Sequence, residues 1–231
     1  MSQISFLHSL IKKKESGAVP VIVDFKCISP GEGRLFDEKD AVANALKMIG
    51  AGAPAISVVT EPTDFGGSLD MLRAVVEAVD VPVLRKDFIR TREAIDETIE
   101  CGASAVLLMC SVMSAEQMVD CYNYAVERGI EPLVETHTEA EIEFAASLGA
   151  KLMGINNRDI LQLEKDGGTV STTQGLAGGK PEGAFLISES GILTPGDVRR
   201  AIDSGADAAL VGTAIWKAED PFAYYKEMMN A

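Results

Sequence analysis

Asp24 and Lys26, Lys86, Glu135, Asn156 and Glu189 each close a short apolar run, and Arg158 stands just past one of them. Lysines and carboxylates brought together are the raw material of general acid–base chemistry, because neighbouring charges and burial move their pKa values toward neutrality. Spacing argues that they are brought together. Strand side chains alternate in direction, so residues of equal parity share a face. Each polar strand end follows, at equal parity, an apolar or small residue: Ile22, Leu84, Leu133, Gly154 and Ile187. These partners would fill an interior that the polar residues crown. One charged strand end is ordinarily just solvated. Five ending alike imply convergence, and such a set perturbs its own ionisation. In "VPVLRKDFI" (81–89), Lys86 and Phe88 continue the parity of Leu84, whereas Arg85 and Asp87 face the other way and suit the bracing of loops.

A second group of residues suits an anion. "SESGI" (188–192) and "LVGTAI" (210–215) end two further runs in glycine-containing turns. Gly191 and Gly212 permit close approach of backbone N–H groups to a phosphate, and Ser190 and Thr213 add hydroxyl donors. "KCISPGEG" places Ser29 on the same rim. The plainer reading of these glycines is tight turns and nothing more.

The elements that must position these residues recur along the whole chain. Apolar, β-rich runs occupy 21–26, 55–60, 81–86, 105–110, 131–136, 152–157, 184–190 and 208–213. Most are continuously apolar, as in parallel strands covered on both faces. Helical patterns lie between them, several opened by Ser, Thr or Asp with early acidic residues, and "SAEQ" and "TEAE" read as capping boxes. "GAGA", "CGAS", "LGAK" and "SGAD" set a glycine where a helix hands over to the next strand, a place for left-handed backbone. Eight such βα units without a linker predict one (β/α)8 TIM barrel over 21–231, preceded by a short helical extension over 1–20. A doubly wound sheet is the competing arrangement, but no GxGxxG follows the first strand. The sixth unit is the weakest. Its "LQLEKDGGTVSTTQGLAGGKPEG" (161–183) predicts a short helix, and either loop divergence or a mobile loop over the site.

Composition restricts the partners. The 231 residues are 47% apolar, enough for a large core, and carry a formal charge of −14. That field disfavours nucleic acid and anionic membranes. An anionic ligand therefore needs a local cationic site. Cys27, Cys101, Cys110 and Cys121 form no CxxC pair, and with only His8 and His137 beside them no zinc pattern emerges. Reduced thiols in a cytoplasmic protein are expected. Lysines after, not before, the first apolar stretch argue against a secretory signal. No apolar run approaches the length of a membrane span.

Taken in order, "VDFKCISP", "VPVLRKDFI", "PLVETHTEAE", "MGINNRDI", "ISESGI" and "ALVGTAI" resemble the indole-3-glycerol phosphate synthases of tryptophan biosynthesis, from about Val21 to the end. "KDFI", "INNRD" and "SESGI" together are highly specific. The resemblance implies closure of the indole ring of 1-(2-carboxyphenylamino)-1-deoxyribulose 5-phosphate with loss of carbon dioxide and water, using no metal or organic cofactor. It implies that Lys86 is the acid near the ketone oxygen, that Glu135 is the base in dehydration, and that Lys26 contacts substrate and shares the acid role. Asn156 and Glu189 would position the anilino and hydroxyl groups, Phe88 would wall the aromatic ring, and Arg158 would organise a loop. Ser29, Gly191, Gly212 and Thr213 would fall around the phosphate. Association with other enzymes of the pathway is a further implication. The chain departs from the family at strand one: Asp24 stands where Glu is usual, Cys27 and Ile28 where basic residues are common, and Gly31 where a second Ser is common. Two alternatives stand beside this reading. One is a related phosphoribosyl isomerase, against which the two lysines at strands one and three argue. The other, motivated by the departures, is a degenerate paralogue that only binds a sugar phosphate or a partner enzyme.

Overall fold

Each of the eight apolar runs becomes a parallel strand in the computed structural model, which describes residues 4–158 and 168–231. They are β1 (Val21–Phe25), β2 (Ile56–Val59), β3 (Val83–Lys86), β4 (Ala105–Met109), β5 (Glu131–Thr136), β6 (Leu152–Asn156), β7 (Phe185–Glu189) and β8 (Ala208–Val211). Neighbours in sequence pair in space, and β1 also pairs β8, so the sheet closes into the expected barrel. Closure leaves no edge strand, and it leaves both faces of every strand to be covered.

The outer face of the barrel carries Val23, Phe25, Val58, Val106, Leu108, Met153, Ile155, Leu186 and Val211 in cores shared with the helices. The helices are α2 (Ala41–Gly50), α3 (Leu69–Ala78), α4 (Arg92–Glu100), α5 (Ala115–Arg128), α6 (Glu139–Ser147), α7 (Ser171–Leu176), α8 (Pro195–Asp203), α9 (Thr213–Trp216) and α10 (Pro221–Met229). Gly52, Gly102, Gly149 and Gly205, the glycines read as handover points, all have φ between 73° and 110°. "SAEQ" forms a complete capping box on α5. "TEAE" does not. Thr138 accepts from the Glu141 N–H, but the Glu141 carboxylate reaches one residue further back, to the His137 N–H at 2.5 Å. The sixth unit's helix, α7, is short, as its glycines require; the part of its loop at 159–167 lies outside the described residues.

The inner face forms a separate core of Ile22, Val59, Leu84, Leu107, Met109, Leu133, Leu152, Phe185, Ile187 and Leu210. Phe6 and Leu10 join it from α1 (Phe6–Glu15), both with no exposed surface. This helix lies across the N-terminal end of the barrel. Its Phe6 and Leu7 N–H groups donate to Glu131 at the start of β5, at 3.1 and 2.7 Å, and Ser9 donates to the Pro54 carbonyl before β2. Lys14 pairs with Asp207 just ahead of β8. The interior is thus sealed at one end and crowned at the other.

Candidate active site

The strand registers place Asp24, Lys86, Glu135 and Glu189 in one layer of the barrel, contributed by the odd-numbered strands. Beneath it lie Ser57, Leu107, Gly154 and Leu210, and beneath these Ile22, Leu84, Leu133 and Ile187. A packed hydrocarbon interior therefore ends in a layer of one ammonium and three carboxyl groups. The Lys86 Nζ stands 3.8 Å from Glu135 Oε2 and 3.9 Å from Glu189 Oε2. Both carboxyl groups are fully buried, and their oxygens lack hydrogen-bond partners among the described residues. Gly154 makes room for one of them, since a Cβ there would overlap Glu189 Oε1. Burial, then the charge of Glu135, push the Glu189 carboxyl up to about 8, against the opposing pull of Lys86.

Asp24 Oδ1 accepts from the Ser57 hydroxyl at 2.6 Å, and its carbonyl accepts from Trp216 Nε1 at 2.8 Å. Lys26, one turn of the pleat higher, is buried with its ammonium 5.9 Å from the Phe65 ring centroid. Asp24, Lys26 and Lys86 line two adjoining cavities. One is walled by Val59, Phe65, Phe88, Leu107 and Met109, and suits a flat apolar group. The other is bounded by Arg158, Ser190, Gly191, Gly212 and Thr213, and suits an anion. The two cavities share the lysines between them.

The anion side is built tightly. Ser190 has φ 62°, an uncommon value for a residue with a side chain, and Gly191 follows at φ 64°. A Cβ on Gly191 would stand 2.7 Å from the Gly168 carbonyl, so no larger residue fits. Gly212 packs against Asp24, and Ser29 Oγ and Thr213 Oγ1 are 3.1 Å apart across the rim. Asn156 is buried, with Oδ1 accepting from the Arg158 N–H at 3.0 Å. Of the residues singled out at the strand ends and in the glycine turns, Asp24, Lys26, Lys86, Arg158, Ser190, Gly191, Gly212 and Thr213 line a cavity, Glu135 and Glu189 complete the layer below, and Asn156 and Ser29 join them through Arg158 and Thr213.

Other residues escape a reading of the sequence. Asn157, adjacent to the chosen Asn156, donates to Ser188 Oγ, the Glu189 carbonyl and the Ser190 carbonyl, each at 3.0 Å, and accepts from Thr173. It holds the turn that bears both Glu189 and Ser190. Glu61 accepts from the N–H groups of Thr63, Asp64 and Phe65, which fixes the loop that presents Phe65. His137 sits against Glu135, with Nε2 3.7 Å from Oε1. Parity offers Ser57, Met109 and His137 as inward-facing, but uncharged or apolar strand ends carry no obvious chemistry. Arg85 and Asp87 do brace: Arg85 bonds Thr60, Thr98, the Ala94 carbonyl and Asp87, and Asp87 accepts from Thr60 and from the Phe88 N–H. Chemically, the site offers a buried acid and base side by side, below an apolar slot and an anion cradle.

Three comparisons bear on this arrangement. The family model described as indole-3-glycerol phosphate synthase matches residues 1–228. The indole-3-glycerol phosphate synthase of Pyrococcus furiosus is 42% identical over 92% of each chain, and that of Haloarcula marismortui is 45% identical over 87% of this chain and 73% of its own. A multifunctional tryptophan biosynthesis protein of Schizosaccharomyces pombe is 37% identical over 98% of this chain and 30% of its own length. Among solved structures, a thiamine phosphate pyrophosphorylase from Pyrococcus furiosus matches with a TM-score of 0.63, covering 90% of this chain and 92% of that one. At 15% identity it shares the fold alone.

Proposed function

The chain belongs to the indole-3-glycerol phosphate synthase family, and from that premise we propose how its residues divide the work. It is a carbon–carbon lyase that acts on 1-(2-carboxyphenylamino)-1-deoxyribulose 5-phosphate. The observation that carries the assignment of roles is the buried layer of Asp24, Lys86, Glu135 and Glu189, set below two cavities that share Lys26 and Lys86.

The carboxyphenyl ring occupies the slot between Phe65 and Phe88, and the phosphate occupies the cradle of Ser190, Gly191, Gly212 and Thr213. This stretches the sugar carbons across the lysines. Lys86 gives a proton to the ketone oxygen as the ring carbon bearing the carboxylate attacks it. Departure of carbon dioxide returns the bonding electrons to the ring and restores its aromaticity. Lys26 then protonates the new hydroxyl so that it leaves as water, and Glu135 takes the proton lost as the indole double bond forms. Proton transfers of this kind are each worth roughly 10²–10⁴-fold. Glu189, protonated near neutral pH, donates to a substrate hydroxyl, and Asn156 orients the anilino nitrogen. Asp24, tied to Ser57, helps hold Lys26 in place. Arg158 organises the loop after β6.

Supporting a cytoplasmic setting are cysteines that are all free and the absence, among the described residues, of any helix long and apolar enough to cross a membrane. The fused tryptophan-biosynthesis relative supports association with other enzymes of that pathway. Activity is tested by supplying the carboxyphenylamino-deoxyribulose phosphate and following indole fluorescence. Binding without turnover would overturn the assignment.

A further inference from the structure

The overall reaction consumes a proton. Carbon dioxide leaves uncharged from what was a carboxylate, by cleavage of the ring–carboxylate bond. The ketone oxygen leaves as water carrying two hydrogens, and only one hydrogen comes off the closing ring. One proton per turnover therefore enters from solvent and must recharge the acid. Yet Asp24, Glu135 and Glu189 are buried, and a substrate in the two cavities would cover Lys26 and Lys86 from that side.

We propose that His137 and Glu141 form the route by which that proton reaches Glu135 and Lys86. This rests on the roles given above to those two groups. The groups stand in a row. Glu141 Oε2 is 3.7 Å from His137 Nδ1, His137 Nε2 is 3.7 Å from Glu135 Oε1, and Glu135 Oε2 is 3.8 Å from Lys86 Nζ. It runs from a side chain with 24% of its surface in solvent, through one at 17%, to a carboxyl group with none. Each step is slightly longer than a hydrogen bond, so transfer needs a movement of roughly 1 Å. Imidazole is suited to the middle position, since one ring nitrogen can accept a proton while the other releases one.

The displaced capping contact holds this line in place. Glu141 is drawn back to the His137 N–H and not to the N-cap residue, which sets its carboxylate beside the ring of the same residue. The adjoining ionisable group is Cys110 at the end of β4. Its thiol is pushed up to about 12 by burial, then by Glu141 and Glu135, and so adds no charge to the line. His137 borders neither cavity; it is a positioning and relay residue, not one that touches substrate.

The test uses the intact protein and the fluorescence assay. His137→Gln keeps the backbone cap and removes the relay. It should lower kcat roughly tenfold or more with KM little changed, since proton delivery then limits turnover. Added imidazole should restore part of kcat in the variant and none in the wild type, and the variant's rate should rise with buffer concentration. Glu141→Gln retains an acceptor for the His137 N–H and should also lower kcat. A His137→Gln enzyme with unaltered kcat, or a loss that neither imidazole nor buffer relieves in a protein with wild-type melting behaviour, would overturn the relay. A wild-type protein that fails to form indole would instead overturn the assigned function.

Discussion

A carboxyl group buried beside another carboxyl holds its proton to higher pH than it would in water, and Glu189 is in that position. The folded value near 8 lies above the ordinary 4.5. Between these values the folded chain binds more protons than the unfolded one, so this group's contribution to stability is full below about 4.5 and is lost as pH rises toward 8. Glu189→Gln should remove a falling slope of at most about 1.4 kcal/mol per pH unit across that window. Denaturant melts of both proteins at several pH values measure it, and parallel profiles would refute it. For catalysis, Lys86→Ala should cost at least ~100-fold in kcat, the usual worth of a general acid. Turnover that survived this change would move the acid role to Lys26. Lys86 is legible in the sequence, because parity alone separates it from Arg85 and Asp87. Ser57 is not. Its hydroxyl gains meaning only from the pairing that sets it opposite Asp24.

At the scale of elements, the strands are readable because burial on both faces leaves nearly unbroken apolar runs, with boundaries displaced by only one or two residues. Helix caps are readable where the side chains act locally, as at Ser114. They mislead at Thr138, where Glu141 has a second N–H within reach. Asn157 escapes notice because its parity points outward, and its partners, Thr173 and Ser188, come from other elements that only the fold brings near. Gly154 reads merely as a small interior residue. Its real task is to vacate space for the carboxyl group of a neighbouring strand. Gly154→Ala should therefore leave β6 intact but displace Glu189, with a loss on the order of 10²-fold in kcat from misplacement. A comparable fall in melting temperature with kcat preserved would contradict this. Steady-state kinetics and thermal melts on one preparation distinguish the two.

Over the whole molecule, the formal charge is −14, and Lys26, Lys86 and Arg158 supply the local positive charge at the mouth that an anion needs. The sequence predicts the N-terminal helix only as an extension, since nothing in "FLHSLIKKKE" reveals that Phe6 and Leu10 finish the core of a barrel whose strands lie far along the chain. Phe6→Ala should destabilise by about 3–5 kcal/mol, the cost of deleting a buried aromatic ring. Chemical denaturation measures this, and a change below about 1 kcal/mol would mean that the helix docks only loosely.

That seal also sets the traffic. Among the described residues, a barrel stoppered by Phe6 and Leu10 is a flask open at its other end. On the proposed placement of the phosphate, substrate, water, carbon dioxide and the phosphorylated product all pass the rim that holds it. On that placement, the two small molecules would leave around a product held by its anionic end, and the next substrate would wait until that grip is released.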